Sequence, residues 1–168
     1  MQNKEAIFKA VYTQAKEKVY RLCLGFTGNR ADADDLLQEI FVKVWNNLEN
    51  FRHESNIQTW IYRIATNTAL LYVTRRDRQK QRVNEFEQNA SVLHIDDNQQ
   101  EQEQQINRLY EAINVLKKID RIIISLLLDD CSYSEIADIT GLSATNVGVK
   151  ISRIKKVLFK KMNDGSIN

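Results

Sequence analysis

The stretch Tyr133-Ser-Glu-Ile-Ala-Asp-Ile-Thr-Gly-Leu-Ser-Ala-Thr-Asn-Val147 sets the reading of this 168-residue chain. Ser132 stands three residues before Glu135, the spacing at which each side chain satisfies a free backbone N–H of the other's residue at a helix start. Ile136, Ala137 and Ile139 give the buried side of a short helix, and Gly141 interrupts it. Ser143 can cap a longer helix whose inner face is Val147, Ile151, Ile154 and Leu158. The predicted order is helix, glycine turn, helix. A compact turn of this kind sets two helices at a steep angle and projects the second outward.

With the inner face fixed, Thr145, Asn146, Val149, Lys150, Ser152, Arg153 and Lys156 point away from the core. Their chemistry suits the major groove of DNA: Asn pairs bidentately with adenine, Lys reaches guanine or phosphate, and Val can touch a thymine methyl. An ordinary helical hairpin with a solvated basic face is the plainer reading of the same residues.

Upstream, Ile122 to Leu128 is a near-continuous apolar run that suits a buried strand as well as a helix. No second strand is available to pair with it, so a helix is expected. Ile106, Leu109, Tyr110, Ile113 and Leu116 form another helical stripe. Residues 83–105 differ in kind: Asn, Gln, Asp and Glu fill most positions, without a sustained apolar period. So little apolar surface does not offset the entropy of ordering, which predicts a flexible acidic linker. Its last residues also fit the solvated start of the next helix.

Three helices are predicted before the linker. Phe8, Val11, Ala15, Val19, Leu22, Cys23 and Phe26 recur at three- and four-residue steps, and Gly28-Asn29 ends that helix. Leu36, Leu37, Ile40, Phe41, Val44, Trp45 and Leu48 mark a second from about Asp32. Ile57, Trp60, Ile61, Ile64 and Ala65 mark a third, from about Asn56 into Arg75-Arg76-Asp77-Arg78. The expected fold class is all-α, with a helical bundle over 1–82, a linker over 83–105 and a helix-turn-helix domain over 106–168.

The formal net charge of +2 is small for a nucleic-acid binder, but it is a cancellation. Residues 52–82 carry seven basic and two acidic side chains, 83–105 none and six, and 143–163 six and none. Two basic blocks around an acidic one give two candidate polyanion-facing surfaces. The first includes Arg63, Arg75, Arg76, Arg78, Lys80 and Arg82, preceded by the polar loop Phe51-Arg52-His53-Glu54-Ser55-Asn56. Such a loop is well placed to meet unstacked bases, which expose their pairing edges and faces. Trp60, on the inner stripe, fits core packing better than base stacking.

Other classes recede. No apolar run approaches the ~20 residues of a membrane helix and the start lacks a signal-peptide core, so a cytoplasmic protein is expected. Cys23 and Cys131 sit among apolar helical residues as reduced, packed thiols. His53 and His94 have no ligand-spaced partner, so neither metal nor cofactor is expected. The acids Asp32, Asp34, Asp35 and Glu39 admit three readings: metal ligands for phosphoryl chemistry, complements to the helix dipole, or a docking face around Phe41 and Trp45. No phosphate loop, general base or histidine accompanies them, which disfavours the first.

Together, Asp32-Ala-Asp-Asp-Leu-Leu-Gln-Glu-Ile-Phe-Val-Lys-Val-Trp45, Thr59-Trp-Ile-Tyr-Arg-Ile-Ala-Thr-Asn67 and Ser132-Tyr-Ser-Glu-Ile-Ala-Asp-Ile-Thr-Gly-Leu142 resemble, in that order, a bacterial RNA polymerase sigma factor of the extracytoplasmic-function (ECF) group in the sigma-70 family. The resemblance spans residues 5–162. It implies a transcription initiation factor with no catalytic residue and no small-molecule substrate, which directs core RNA polymerase to promoter DNA. Asp34, Asp35, Gln38, Glu39, Phe41 and Trp45 would dock on the polymerase, whose clamp and flap regions are the implied partners. Arg52, Ser55, Asn56, Arg63, Asn67, Arg75 and Arg76 would melt and hold the minus-ten element. Ser143, Thr145, Asn146, Val149, Lys150, Arg153 and Lys156 would read the minus-thirty-five element. The linker would thread the polymerase cleft, and an anti-sigma factor, often membrane-anchored, would regulate the protein.

Three places depart from the family pattern: Leu71 where an acid is frequent, Gly148-Val149-Lys150 in the recognition helix, and Lys117-Lys118-Ile119 where the last domain commonly opens with proline. The alternative function is a free-standing helix-turn-helix regulator. It would need a dimer interface to match two half-sites, and no spare amphipathic helix supplies one.

Overall fold

The computed structural model describes residues 2–83 and 101–164. Helix α1 (Gln2–Thr27) is followed by α2 (Arg30–Asn47), a 3-10 turn (Leu48–Asn50) and α3 (Ile57–Val83). After residues 84–100, on which most of the expected linker falls and which lie outside the described residues, come α4 (Glu101–Asn114), α5 (Lys118–Leu128), α6 (Tyr133–Thr140) and α7 (Ala144–Asp164). The described residues contain helices and no strand, as the periodicity predicts. Ile122 to Leu128 is helical, with Ile122, Ile123, Ile124 and Leu126 buried.

Both ends of the 83–105 segment belong to helices: Val83 closes α3 and Glu101 opens α4. Glu and Gln are good helix formers, so the stripe anchored at Leu109 and Ile113 propagates backward through residues that bury nothing themselves.

The first three helices pack through the predicted stripes. Val19, Leu22 and Cys23 of α1, Leu36, Ile40 and Val44 of α2, and Ile61, Ala65 and Ala69 of α3 are almost wholly buried. Gly28 turns the chain with φ 76°, a left-handed conformation that glycine adopts without steric cost. Asn29 then caps α2, its side chain accepting from the Asp32 N–H at 2.8 Å.

In the C-terminal half both predicted caps form. Ser132 Oγ accepts from the Glu135 N–H at 3.2 Å while Glu135 Oε2 accepts from the Ser132 N–H at 2.7 Å. Gly141 ends α6 with φ 75°, and Ser143 Oγ accepts from the Asn146 N–H at 3.2 Å to start α7. Val147, Ile151, Ile154 and Leu158 of α7 are buried, the inner face expected of a recognition helix.

The two halves also pack on one another. Helix α1 contacts α4 and α5, and α3 contacts α6, so the apolar cores are contiguous. Close approach depends on two small residues. A Cβ at Gly25 would lie 3.0 Å from Ser125 Oγ, and one at Gly28 would lie 2.9 Å from Asn114 Nδ2.

Candidate nucleic-acid interface

The turn and caps of α6–α7 leave one face of α7 in solvent. Ser143, Thr145, Asn146, Val149, Arg153 and Lys156 are all exposed, with no acid among them. Lys150 is different: its Nζ pairs with Asp120 Oδ1 of α5 at 3.1 Å. Gly148 lies against α6, where a Cβ would sit 3.4 Å from Tyr133 Cε2. That is an ordinary van der Waals contact, so packing against the ring does not require glycine there.

The second basic surface is less free. Arg52, Asn56, Asn67 and Arg75 are exposed, whereas Ser55, Arg63 and Arg76 are half-buried. Asn56 Oδ1 accepts from the Gln58 N–H at 3.0 Å and so helps start α3. Arg76 pairs with Asp32 at 2.6 Å, and Arg75 lies 3.8 Å from Glu39. Arg63 Nε donates to the Asp138 carbonyl of α6 at 3.1 Å. The loop before α3 is braced by aromatic contacts, with Phe51 between His53 at 4.5 Å and Trp60 at 5.2 Å. Trp60 is half-buried there, between the core and base-stacking alternatives. Leu71 is 51% exposed, and nothing in the structure gives it a partner role.

The acids of α2 separate by position. Asp32 is held by Asn29 and Arg76, inside the bundle's own hydrogen bonding. Asp34, Asp35 and Gln38 are exposed, and Glu39 pairs with Lys43 at 2.9 Å. Beside them runs a groove of about 560 Å³ between α1 and α2, lined by Phe8, Tyr12, Lys16, Leu37, Val42 and Trp45 among others. Phe41 is 4% exposed, with Tyr12 packed edge-on at 4.7 Å, so it forms the groove's floor. From sequence Phe8 reads only as part of α1's apolar stripe, and Tyr12 and Lys16 go unread, because that stripe signals burial without showing what it borders. Among the described residues no group of His, Cys, Asp or Glu side chains is placed to hold a metal. No described helix is long and apolar enough to cross a membrane.

Comparison with known proteins accounts for this order of surfaces. Residues 11–79 match the family described as Sigma-70 region 2, and residues 106–158 match Sigma-70, region 4. The chain is 30% identical to the RNA polymerase sigma factor YlaC of Bacillus subtilis over 167 residues, spanning 96% of this chain and 95% of that protein. It belongs to the sigma-70 family, in its ECF group. The ECF RNA polymerase sigma-E factor of Haemophilus influenzae is 29% identical, over 96% of this chain and 90% of that one. The sigma factor RpoE of Bartonella quintana, solved with the anti-sigma factor NepR, shares the fold. Its TM-score is 0.75 at 20% identity, covering 93% of this chain and 96% of that chain.

One cluster in this sigma factor lies outside all three surfaces. The Asp129 side chain, 1% exposed, accepts from Arg21 Nε at 2.9 Å and from Tyr62 OH at 3.3 Å. Arg21 Nη2 adds a 2.7 Å ion pair, and Lys18 Nζ donates to the Asp129 carbonyl at 3.4 Å. Burial pushes the Asp129 carboxyl above its ordinary value, opposed by the Arg21 and Tyr62 hydrogen bonds. Asp130, at φ 63°, follows it in the left-handed conformation that Asp tolerates better than most residues. Burial also pushes the Cys23 thiol up to about 12 and the Cys131 thiol up to about 11, as expected of packed, unreactive cysteines.

Proposed function

We propose that this sigma factor works through three surfaces while directing core RNA polymerase to promoters. The α1–α2 groove docks on the polymerase, with Asp34, Asp35, Gln38, Glu39 and Trp45 around it and Phe41 beneath. Arg52, Ser55, Asn56, Arg63, Asn67, Arg75 and Arg76 take up the melted minus-ten strand, where arginines meet phosphate and the loop meets unstacked bases. Ser143, Thr145, Asn146, Val149, Lys150, Arg153 and Lys156 read the minus-thirty-five duplex through its major groove. The corresponding units are 1–82 and 106–168, joined by the acidic connector 83–105.

The observation that carries this reading is the order of region 2 before region 4, with the second ending in an exposed basic helix that carries no acid before its last residue, Asp164. Every part is a binding surface, so the protein acts without a catalytic step of its own. Its place of work is the cytoplasm, with polymerase and promoter. An anti-sigma factor holds it inactive until a signal arrives, as NepR binds the Bartonella relative. A formal charge of only +2 fits a protein whose DNA contacts are completed by polymerase, because each neutralised phosphate adds to salt-dependent affinity.

Reconstitution tests it. Purified full-length chain added to core polymerase is expected to give promoter-specific transcripts, and Asp35→Ala combined with Gln38→Ala to weaken polymerase binding at least several-fold. A chain that binds duplex operator tightly yet fails to bind core polymerase would instead be a free-standing regulator.

A further inference from the structure

We propose that Asp120, on α5, is a positioning residue that makes Lys150 of α7 a reader of guanine and keeps it off the phosphates. The inference rests on the minus-thirty-five assignment of α7 above, and adds to it a residue from another helix. Lys150 Nζ lies 3.1 Å from Asp120 Oδ1, with the two side chains 34% and 21% exposed, so water competes with the pair from one side only. The basic neighbours of Asp120 on α5 are engaged elsewhere. Lys118 pairs with Asp77 of α3 at 2.9 Å, and Arg121 Nε donates to the Leu116 carbonyl at 2.9 Å.

Lys150 stands one turn after Asn146 on the same edge of α7, so a groove that receives one receives the other. A lysine is a compact point charge on a flexible stem, with three N–H donors. Unpaired on a DNA-facing helix it is drawn to phosphate, which carries full charge and no sequence information. A carboxylate at 3.1 Å cancels most of that pull and fixes the direction of the ammonium. Donors remain for the O6 and N7 of guanine, which are neutral acceptors. The acid therefore lowers affinity for DNA in general while sharpening the choice between bases, as a repulsive element against wrong sites does. Arg153 and Lys156, exposed on the same helix, are left to supply the phosphate contacts. An acid in the first turn of α5 also complements that helix's dipole, a role that would touch stability and not base choice.

The test uses full-length chain bound to core polymerase. Its probes are duplexes that the wild-type complex selects from a library randomised at the minus-thirty-five element, their single-base variants, and unselected duplexes. Asp120→Asn is expected to tighten binding to unselected duplexes several-fold and to steepen the slope of log affinity against log salt by about one. At one minus-thirty-five position it should cut discrimination about tenfold, and Asp120→Glu should restore most of it. In a Lys150→Met background, Asp120→Asn should change neither slope nor discrimination. An Asp120→Asn variant that keeps wild-type slope and discrimination, or that loses affinity uniformly, overturns the proposal. Lys150→Met decides even where Asp120→Asn does not fold: it should lose the same discrimination with the salt slope almost unchanged, and a slope shallower by about one would make Lys150 a phosphate contact and overturn the proposal. If Lys150→Met and Asn146→Ala both leave base selection as in wild type, the minus-thirty-five assignment itself falls; if only the Asp120 variants fail, that assignment stands and the role of Asp120 does not.

Discussion

The basic helix α7 and the basic helix α3 face opposite circumstances. Apart from Lys150, the outward residues of α7 are exposed, and their helix carries no acid before Asp164 at its end. On α3, Arg76 is paired with Asp32, Arg75 lies near Glu39, and Arg63 is engaged by the other half of the chain. The contrast follows from what each would bind. A duplex groove is present before the protein arrives and can be met by a preformed helix. A melted strand exists only after polymerase engages, so its binding residues lose little by resting on internal partners beforehand.

The largest expected effect comes from breaking the joint that keeps α3 engaged. Arg21→Ala leaves the buried Asp129 carboxylate without its ion partner. It should lower the unfolding free energy by about 2–3 kcal/mol, below the ~3–5 kcal/mol of a fully buried pair because the guanidinium is half-exposed. Urea unfolding measures it, and no change in midpoint would show that the two halves are not coupled through Asp129.

A smaller effect, of different character, is expected on α7. Asn146→Ala should weaken recognition by about 1–3 kcal/mol at one or two minus-thirty-five positions, leaving other positions intact. Binding to a set of single-base promoter variants checks this. A uniform loss across the set would make Asn146 a phosphate contact and erase the distinction between the two helices.

The smallest concerns the cap that positions α6 and hence α7. Ser132→Ala should cost about 1 kcal/mol of stability. The capping hydrogen bonds from the Ser132 backbone and side chain hold the Glu135 carboxyl below its ordinary value. Its contribution is therefore complete above the usual carboxylate range and is lost as pH falls through that depressed value. Asp129, held above its ordinary value, has the opposite sign: its contribution is complete at acid pH and is lost as pH rises through the elevated value. The stability gap between wild type and Ser132→Ala, followed from neutral to acid pH, should narrow as Glu135 protonates, down to the part carried by the Glu135 N–H to Ser132 Oγ bond. A constant gap would remove Glu135 from the cap.

Much of the candidate site was legible because its signals are local. Ser132, Glu135, Gly141 and Ser143 specify the turn through contacts three residues apart, and the inner stripe of α7 fixes its outer face by exclusion. Phe41 was legible only as an apolar residue among acids. Its place in the floor of a groove depends on Tyr12, which a one-helix pattern does not bring near it. Lys117-Lys118-Ile119 read only as a departure from the family, until Lys118 was found to reach Asp77 on α3.

By itself the sequence determined seven helices among the described residues, the caps of α6 and α7, the outward face of α7 and the family. Each is written in spacings of a few residues or in matched motifs. Tertiary structure alone decided that the halves pack on each other, which arginines are free, and that Asp129 is buried between them against Arg21 and Tyr62. The physical reason is separation: Arg21 and Asp129 stand 108 residues apart in the chain. No periodicity records a contact of that range, and a charged residue after an apolar helix looks the same whether it meets water or an arginine.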